Sequence, residues 1–259
     1  MTGVSSYANG RPKLLDLFCG EGGAAAGYIA AGWDVTGVDL NATVGRRYPG
    51  AGFHAGDALA YLATHGREYD AIHASPPCQG YTIATAGNPA ARAKHVRLIA
   101  ATRELLILTG KPWVIENVEQ AKSQMRAPVL LCGRMFGLAA DDEDGQPLVL
   151  DRHRLFESNI PLEVPAHPKH RGEQVAGVYG GSRRAKRLPG ESLAQVAPRD
   201  RHAARFERKG GYVPRSTAVQ QALLGIDWMT VKGMQESIPP AYSEWVGRQL
   251  IVHMTKAVA

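Results

Sequence analysis

The sequence predicts a doubly wound α/β fold with a mostly parallel sheet and a small, loop-rich, basic lobe. Up to residue 157, short apolar runs of strand length alternate with segments of helical pattern, as in consecutive strand-helix-strand units. Beyond residue 157, prolines and glycines interrupt this pattern. Residues 165–215 carry twelve Lys and Arg against four Asp and Glu, a net charge of +8. A chain of 259 residues can hold one large domain with such a lobe.

Charge and cysteine content limit the classes of function. The formal net charge is +6, so the residues outside 165–215 sum to −2 and the basic character is local. This favours a polyanion-binding insert, although a solvated, loop-rich face would have the same composition. The three cysteines lack metal-type spacing, which indicates a reducing compartment and neither a disulfide framework nor a metal site. No run of eighteen apolar residues occurs, so we expect a soluble, cytoplasmic protein.

The first predicted strand, residues 13–18, ends at a glycine-rich turn that leads into a small-residue helix. Asp39 ends the next apolar run, nineteen positions after Gly20. Glycine at such a turn lets a ligand approach the backbone, and an acid at the second strand's tip can accept from both ribose hydroxyls. The pattern is typical of a site for a nucleoside-bearing cofactor. Gly20, Gly22 and Ala25 also fit a looser dinucleotide pattern, and a turn that binds nothing would use the same residues.

Two more side chains are candidates for this site. Phe18 directly precedes the glycines and is well placed to flank an adenine ring, whereas Trp33 is better explained as a core residue. Asp57 follows a short run that predicts a third strand. Its carboxylate suits an adenine amino group or the N-terminal cap of a helix over residues 58–65, and the two roles are compatible.

Cys78 lies in the stretch Ser-Pro-Pro-Cys-Gln, residues 75–79, directly after the apolar run 69–74. The run predicts a short buried strand, and the two prolines end it and stiffen the loop that carries the thiol. In open α/β sheets, ligands bind at the carboxyl edge of the strands. Cys78 is therefore either a reactive thiol at that edge or a buried free cysteine, which is common in cores.

Glu116 ends the apolar part of a further predicted strand, residues 112–119, where an unpaired carboxylate would be unfavourable. It therefore needs either an ion-pair partner or a chemical role. Residues 150–156 alternate in the manner of a strand, which places Arg152 and Arg154 on one face. Helical patterns cover residues 92–109, 217–224 and 242–258.

The order of these blocks resembles that of the motifs of the DNA (cytosine-5) methyltransferases. Residues 16–23 are similar to the family's cofactor loop, residues 76–79 to its nucleophile motif, and residues 116–118 to its acid motif. Arg152-His153-Arg154 resembles the paired-arginine motif. Three positions depart from the family pattern: Leu150, where Gln is usual, residues 224–227, where a Gly-Phe-Pro turn is common, and Glu236, where Asn is usual.

The resemblance implies a fold and a domain organisation. Residues 12–157 would form a Rossmann-like catalytic domain that binds S-adenosylmethionine. Residues 158–214 would form the target-recognition lobe, and residues 215–259 would return to the catalytic domain. The motif match is strong over residues 14–156 and looser over 216–247.

The resemblance also implies a reaction and the residues that serve it. The Cys78 thiolate would add to carbon 6 of a cytosine flipped out of the duplex, while Glu116 holds ring nitrogen 3. Arg154, with Arg152, would bind the oxygen at carbon 2, and Asn117 would position Glu116 and the nucleophile loop. The residues implied to bind S-adenosylmethionine, or its product S-adenosylhomocysteine, are Phe18, Gly20, Gly22, Gly23, Asp39, Leu40, Asp57 and Pro77.

Contacts to nucleic acid are implied for the loop after Cys78, residues 80–94, and for the basic lobe. The residues implied to make them are Gln79, Thr82, Arg92, Lys94, Arg183, Arg184, Lys186 and Arg187. A lobe of this size predicts a short target of about two to four base pairs.

We expect a monomer that acts on double-stranded DNA. The tRNA-modifying relatives share the core motifs, so RNA or a free deoxycytidine nucleotide is an alternative substrate. A non-catalytic nucleic-acid-binding homologue is a second alternative, which the intact Cys78, Glu116 and Arg154 argue against. A nicotinamide-dependent oxidoreductase would leave Cys78 and Glu116 unexplained. The compact length is compatible with an enzyme of a virus or mobile element in a bacterial cell. Restriction protection, anti-restriction, preparation of cytosine for further modification and regulation are all open as roles.

Overall fold

The computed structural model describes residues 10–81, 97–143, 145–170, 173–178, 213–214 and 216–258. By its contacts the chain divides into two compact units. The first comprises Met1–Leu131, His153–Val164 and Ser237–Ala259, and the second comprises Cys132–Arg152 and Pro165–Glu236. Relative to the segments predicted above, residues 132–152 and 215–236 group with the second unit.

The described residues form ten strands and six α-helices. The strands are β1 (Lys13–Leu17), β2 (Asp34–Asp39), β3 (Gly52–Ala55), β4 (Ala71–Ala74), β5 (Trp113–Asn117), β6 (Val129–Leu131), β7 (Ala139–Asp141), β8 (Pro147–Leu150), β9 (Arg154–Ser158) and β10 (Gln174–Ala176). The helices are α1 (Gly23–Ala30), α2 (Ala58–His65), α3 (Ile99–Thr109), α4 (Thr217–Leu224), α5 (Val231–Glu236) and α6 (Pro240–Val258). No helix among these is long and apolar enough to cross a membrane.

The first unit is built on a seven-stranded sheet in the order β3-β2-β1-β4-β5-β9-β6. Strands β1 to β5 pair in parallel, and β9 runs antiparallel to both β5 and β6. The predicted doubly wound, mostly parallel sheet is therefore confirmed. The direction of winding reverses between β1 and β4, where Leu17 is paired with Ala74. The carboxyl ends of β1 and β4 thus border the crevice in which ligands bind in such sheets.

Small residues on α1 explain how the long helix α6 packs against it. A Cβ atom at Gly27 would lie 2.0 Å from the Pro240 carbonyl oxygen, and one at Gly23 would lie 2.7 Å from that of Ile238. Any side chain at these positions would push α1 away from the start of α6 and from the residues directly before it. The predicted small-residue helix is therefore the packing surface for the end of the chain. Trp33, predicted to be a core residue, is 1% exposed and donates from its ring nitrogen to the Gly247 carbonyl.

A buried ion pair fixes helix α3 to strand β9. Arg103 donates to both carboxylate oxygens of Glu157, at 2.5 Å and 2.7 Å, and both side chains are buried. Glu157 also accepts from the backbone N–H of Arg126 at 2.8 Å, and Arg103 donates to the Gln124 carbonyl. The charges are thus compensated by several hydrogen bonds, which a buried pair requires.

The strand predicted over residues 150–156 is divided in the structure, which is a correction to the sequence analysis. Strand β8 ends at Leu150 in the three-stranded sheet β10-β8-β7, and β9 begins at Arg154 in the seven-stranded sheet. The alternating pattern is continuous because both strands contribute to it. Arg152 and Arg154 consequently do not share one strand face.

The second unit has a small apolar core of its own. Strand β8 contributes Leu148 and Leu150, and helix α4 contributes Leu223 and Leu224. Met234 of α5 is fully buried in the same cluster. Residues 179–212, which include most of the predicted target-recognition lobe, lie outside the described residues.

Candidate active site

The turn after β1 holds Asp39 in place through the backbone. The N–H of Gly20 donates to one carboxylate oxygen of Asp39 at 2.9 Å, and the N–H of Asn41 donates to the other at 2.8 Å. The Asp39 side chain therefore lies at the tip of β2, directly beside the glycine turn. Leu40, the next residue, is 81% exposed. An apolar side chain this exposed beside a fixed carboxylate suits the ribose and base of a nucleoside.

The turn after β1 contains a glycine, Gly22, whose backbone conformation and close contacts leave no space for a side chain. Gly22 caps the N-terminus of α1 with φ at 87°, and a Cβ atom there would lie 2.3 Å from Cδ of Pro49. Phe18 adopts φ of 59° although it is not glycine. Strained backbone of this kind persists where the surrounding structure enforces it, and it is common at ligand sites. The residues present fit a nucleoside-bearing cofactor, because the space beside the Cα of Gly20 is open and the Asp39 carboxylate lies next to it.

Asp57 caps helix α2. Its carboxylate accepts from the N–H of Ala60 at 2.8 Å, and the residue is exposed. The capping role weighed in the sequence analysis is thus observed. The contact to an adenine amino group stays a prediction.

Asp16 is a buried acid of β1 that the sequence analysis did not single out as a functional residue of its own. It is 1% exposed and accepts from the Tyr48 hydroxyl at 3.2 Å. Burial, opposed by this hydrogen bond and reinforced by Asp39, raises the pKa of Asp16 to about 8. Burial likewise raises the pKa of the nearby Cys19 thiol far above its usual value, so that thiol is unreactive.

The Cys78 loop follows β4 and is tied to both neighbouring strands. The N–H of Ser75 donates to the Leu17 carbonyl of β1, and the side-chain amide of Asn117 at the end of β5 donates to the Pro76 carbonyl at 2.8 Å. A backbone hydrogen bond of 2.8 Å from Tyr81 to the Cys78 carbonyl closes the turn, and the Tyr81 ring is buried in the core. The loop is thus anchored on each side of the thiol.

Exposure separates the three cysteines. Cys19 and Cys132 are buried, and Cys78 is of intermediate exposure. Cys78 is therefore the thiol that a substrate at the sheet edge can reach. Pro77 and Gln79, the residues on either side of it, are exposed.

Glu116 and Arg154 form an ion pair at the neighbouring edge of the sheet. Arg154 Nε lies 3.2 Å from Glu116 Oε1, with side chains 12% and 7% exposed. Glu116 belongs to the buried end of β5, and Arg154 is the first residue of the adjacent strand β9. Glu116 was expected to have either an ion-pair partner or a chemical role, and the structure gives it the partner Arg154, the arginine of the same motif set.

Arg152 lies in different surroundings from Arg154. It is fully buried in the second unit, where its guanidinium donates to the carbonyls of Val178 and Gln235 at 2.5 Å and 2.7 Å. These contacts join the residues that follow β8 to the segments that contain Val178 and Gln235.

A buried histidine close to the Cys78 loop, His73, was also not predicted from the sequence. His73 of β4 lies between the Tyr28 hydroxyl, 3.0 Å from Nδ1, and the Ser75 hydroxyl, 2.9 Å from Nε2. Burial lowers the pKa of His73 to about 3, so the ring is neutral. A polar residue inside an apolar strand was the available signal for both His73 and Asp16, and it is the signal that identified Glu116.

Several predicted nucleic-acid contacts lie outside the described residues. They are Thr82, Arg92, Lys94, Arg183, Arg184, Lys186 and Arg187. Their roles stay predictions.

The whole-chain likeness to solved structures is to methyltransferases. The Dnmt2 methyltransferase of S. pombe matches with a TM-score of 0.57 at 13% identity, over 94% of this chain and 99% of that one. A protein assigned as a DNA modification methyltransferase from an E. coli prophage matches with a TM-score of 0.53 at 14% identity, over 94% and 99%. A mutant of Spodoptera frugiperda DNMT2 matches with a TM-score of 0.51 at 12% identity, over 93% and 99%.

The chain has the methyltransferase fold. No protein-family model matches it, and no curated protein matches its sequence. At identities this low, the likeness establishes the architecture. The chemistry has to be argued from the site.

Proposed function

We propose that this methyltransferase-fold protein transfers a methyl group from S-adenosylmethionine to carbon 5 of cytosine in double-stranded DNA. Cys78 is the nucleophile, Glu116 the general acid and Arg154 the group that binds the oxygen at carbon 2. The observation that carries the proposal is the Glu116–Arg154 pair at 3.2 Å, tied through the neighbouring Asn117 to the backbone of the Cys78 loop.

The Glu116–Arg154 pair has the two kinds of group that are needed to bind one edge of a cytosine ring. Ring nitrogen 3 and the oxygen at carbon 2 are attached to the same carbon, so a protein that binds both needs a carboxyl group and a hydrogen-bond donor side by side. Glu116 and Arg154 provide these groups. Both are largely buried, which strengthens their electrostatic effect on a bound ring.

The Cys78 thiolate attacks carbon 6 of the bound ring. Glu116, ionised in its pair with Arg154, takes up a proton from solvent as cytosine binds and shares it with nitrogen 3 while the sulfur–carbon bond forms. The ring then has the electron distribution of an enamine, which makes carbon 5 nucleophilic. S-adenosylmethionine supplies the methyl group that carbon 5 accepts. Carbon 5 then loses its hydrogen as a proton to solvent, and the electron pair of that bond forms the double bond to carbon 6 and expels the Cys78 thiolate. Asn117 holds the Cys78 loop throughout by its hydrogen bond to Pro76.

The glycine turn is the site that we assign to S-adenosylmethionine. Gly20 has open space beside its Cα, and Gly22 and Gly23 allow the tight turn into α1. Asp39 and Leu40 provide a carboxylate and an exposed apolar surface next to the turn. Phe18, Asp57 and Pro77 complete the proposed set. Arg152, whose guanidinium is bound to two carbonyls, supports the second unit in this account and does not contact the base.

The basic stretch 165–215 supports a nucleic-acid substrate, because twelve cationic side chains against four anionic ones favour phosphate contacts. Gln79 is exposed beside the nucleophile and is a proposed contact to the substrate. We propose duplex DNA as that substrate, bound by a monomer in the cytoplasm of a bacterial cell or a phage-infected one.

A transfer assay with three substrates tests the function. Radiolabelled S-adenosylmethionine is offered in parallel with unmethylated duplex DNA, tRNA and dCMP, and the product is digested and identified. We expect label in 5-methylcytosine from DNA. Label in tRNA or dCMP alone would contradict the substrate assignment, and label on another atom of the base would contradict the reaction.

A further inference from the structure

A second cluster of chemically reactive side chains lies within the second unit. The sulfur of Cys132 lies 3.5 Å from Nε2 of His170, and this nitrogen lies 3.3 Å from Nε2 of His167. Their possible ligand atoms all lie within 4.8 Å of one another. None of these residues has a part in the proposed methyl transfer.

The spacings are those of a metal site. In a tetrahedral zinc site with Zn–S of about 2.3 Å and Zn–N of about 2.05 Å, ligand atoms lie about 3.5 Å apart for sulfur and nitrogen and about 3.3 Å apart for two nitrogens. The observed distances of 3.5 Å and 3.3 Å agree with both values. A thiolate and two imidazoles also select zinc over magnesium or calcium, which prefer oxygen.

His170 is held in the orientation that a metal ligand needs. Its Nδ1 lies 3.0 Å from a carboxylate oxygen of Asp151, a contact that favours the tautomer with the hydrogen on Nδ1 and the lone pair on Nε2. Asp151 is in turn paired with Arg134, which also pairs with Glu173. A carboxylate behind a ligating histidine is a recurrent feature of zinc sites, because it fixes the ring and raises its basicity.

Tight packing also fixes Cys132. A Cβ atom at Gly133 would lie 2.2 Å from the Leu150 carbonyl oxygen, so the backbone after Cys132 lies directly against the end of β8. Asp151 follows Leu150. The thiol and the carboxylate that orients His170 are therefore held by the same close approach. His167 and His170 are exposed, which gives a metal ion access from solvent.

We propose that Cys132, His167 and His170 bind one zinc ion. Cys132 binds as the thiolate, and its proton is released to solvent. The ion ties the segment 167–170 to the core of the second unit, immediately before the most basic part of the chain. The proposal replaces our expectation of no metal site, which was based on cysteine spacing and did not consider the His-Pro-Lys-His stretch at residues 167–170.

Metal content is the first test, and it is independent of methyl transfer. Protein expressed with added zinc and desalted without chelator is analysed by elemental mass spectrometry. We expect about one zinc per wild-type chain and at most about a tenth of that in Cys132→Ser and His170→Ala. Cys78→Ser removes the proposed nucleophile, and His65→Ala removes a partly exposed histidine of the first unit. Both variants should retain the metal. Equal zinc in Cys132→Ser and wild type would overturn the proposal.

Cobalt titration of wild-type protein gives a test that does not depend on the folding of a variant. Zinc is removed with a chelator, and Co²⁺ is added while the thiolate-to-cobalt absorption and the visible bands of tetrahedral cobalt are recorded. We expect both signals to saturate at one equivalent and to disappear when zinc is added. Asp151→Asn should weaken metal affinity by about 10- to 100-fold. Folded wild-type protein that gives no thiolate band with excess cobalt would show that the cluster is only hydrogen-bonded.

Discussion

Three acids of the central sheet occupy three different electrostatic environments. Asp39 accepts from two backbone N–H groups, Glu116 is paired with Arg154, and Asp16 is buried with a tyrosine hydroxyl as its hydrogen-bond donor. A carboxyl group thus has the proposed role of binding a ribose at Asp39 and of a general acid at Glu116, whereas burial favours the protonated form of Asp16.

Replacing Glu116 tests its assignment as the general acid. Glu116→Gln keeps a similar shape but cannot donate a carboxyl proton to nitrogen 3, so we expect methyl transfer to slow by about 10²- to 10⁴-fold. Affinity for S-adenosylmethionine, measured by calorimetry, should be unchanged. Glu119→Gln is the matched control, because Glu119 lies three residues away and is about half exposed. Turnover of Glu116→Gln equal to that of the control would contradict the acid role.

Asp16 should make stability fall as the pH rises. Its pKa is raised to about 8 in the folded protein, above the value of about 4 for an unfolded aspartate. The folded state therefore binds the proton more tightly, and this stabilisation is complete below pH 4 and is lost as the pH rises through 8. Between pH 6 and 8, we expect wild type to lose about 2 kcal/mol more of its free energy of unfolding than Asp16→Asn. Urea denaturation at both pH values measures the difference, and equal losses would refute the raised pKa.

At the scale of elements, the turn between β1 and α1 depends on glycine. Gly22→Ala adds a Cβ atom 2.3 Å from Pro49 at a φ of 87°, so the turn must change shape. We expect affinity for S-adenosylmethionine to fall about tenfold or more, since such strain costs about 1–3 kcal/mol. Gly32→Ala is the control, because Gly32 has φ of 102° but open space around its Cα. Equal affinity in the two variants, by calorimetry, would show that the turn does not hold the cofactor.

Helices and strands were predicted correctly from the sequence where a single hydrophobic pattern corresponds to a single helix or strand. Helix α4 and helix α2 begin and end at the predicted residues, and the polar ends of β2 and β5 were located from their apolar runs. The break between β8 and β9 could not be predicted, because alternation continues across two strands that belong to different sheets. The different surroundings of Arg152 and Arg154 follow from that break.

At the scale of the whole molecule, the site residues that could be predicted from the sequence are those at the ends of strands. The carboxyl edge of a parallel sheet gathers such residues, so Asp39, the Cys78 loop and Glu116 could be grouped before any coordinates. Contacts that depend on side-chain packing could not be predicted. The hydrogen bond between Tyr28 and His73 and the cluster around Cys132 each join residues that are distant in sequence.

The central claim is that Cys78 bonds to cytosine during methyl transfer, and trapping that bond tests it most directly. A duplex containing 5-fluorocytosine is incubated with the protein and S-adenosylmethionine, because fluorine at carbon 5 cannot leave as the hydrogen does and the thiolate is not released. We expect a covalent protein–DNA adduct that peptide mass mapping places on Cys78, and none in Cys78→Ser. No adduct in protein that methylates ordinary DNA, or an undiminished adduct in Cys78→Ser, would contradict the account.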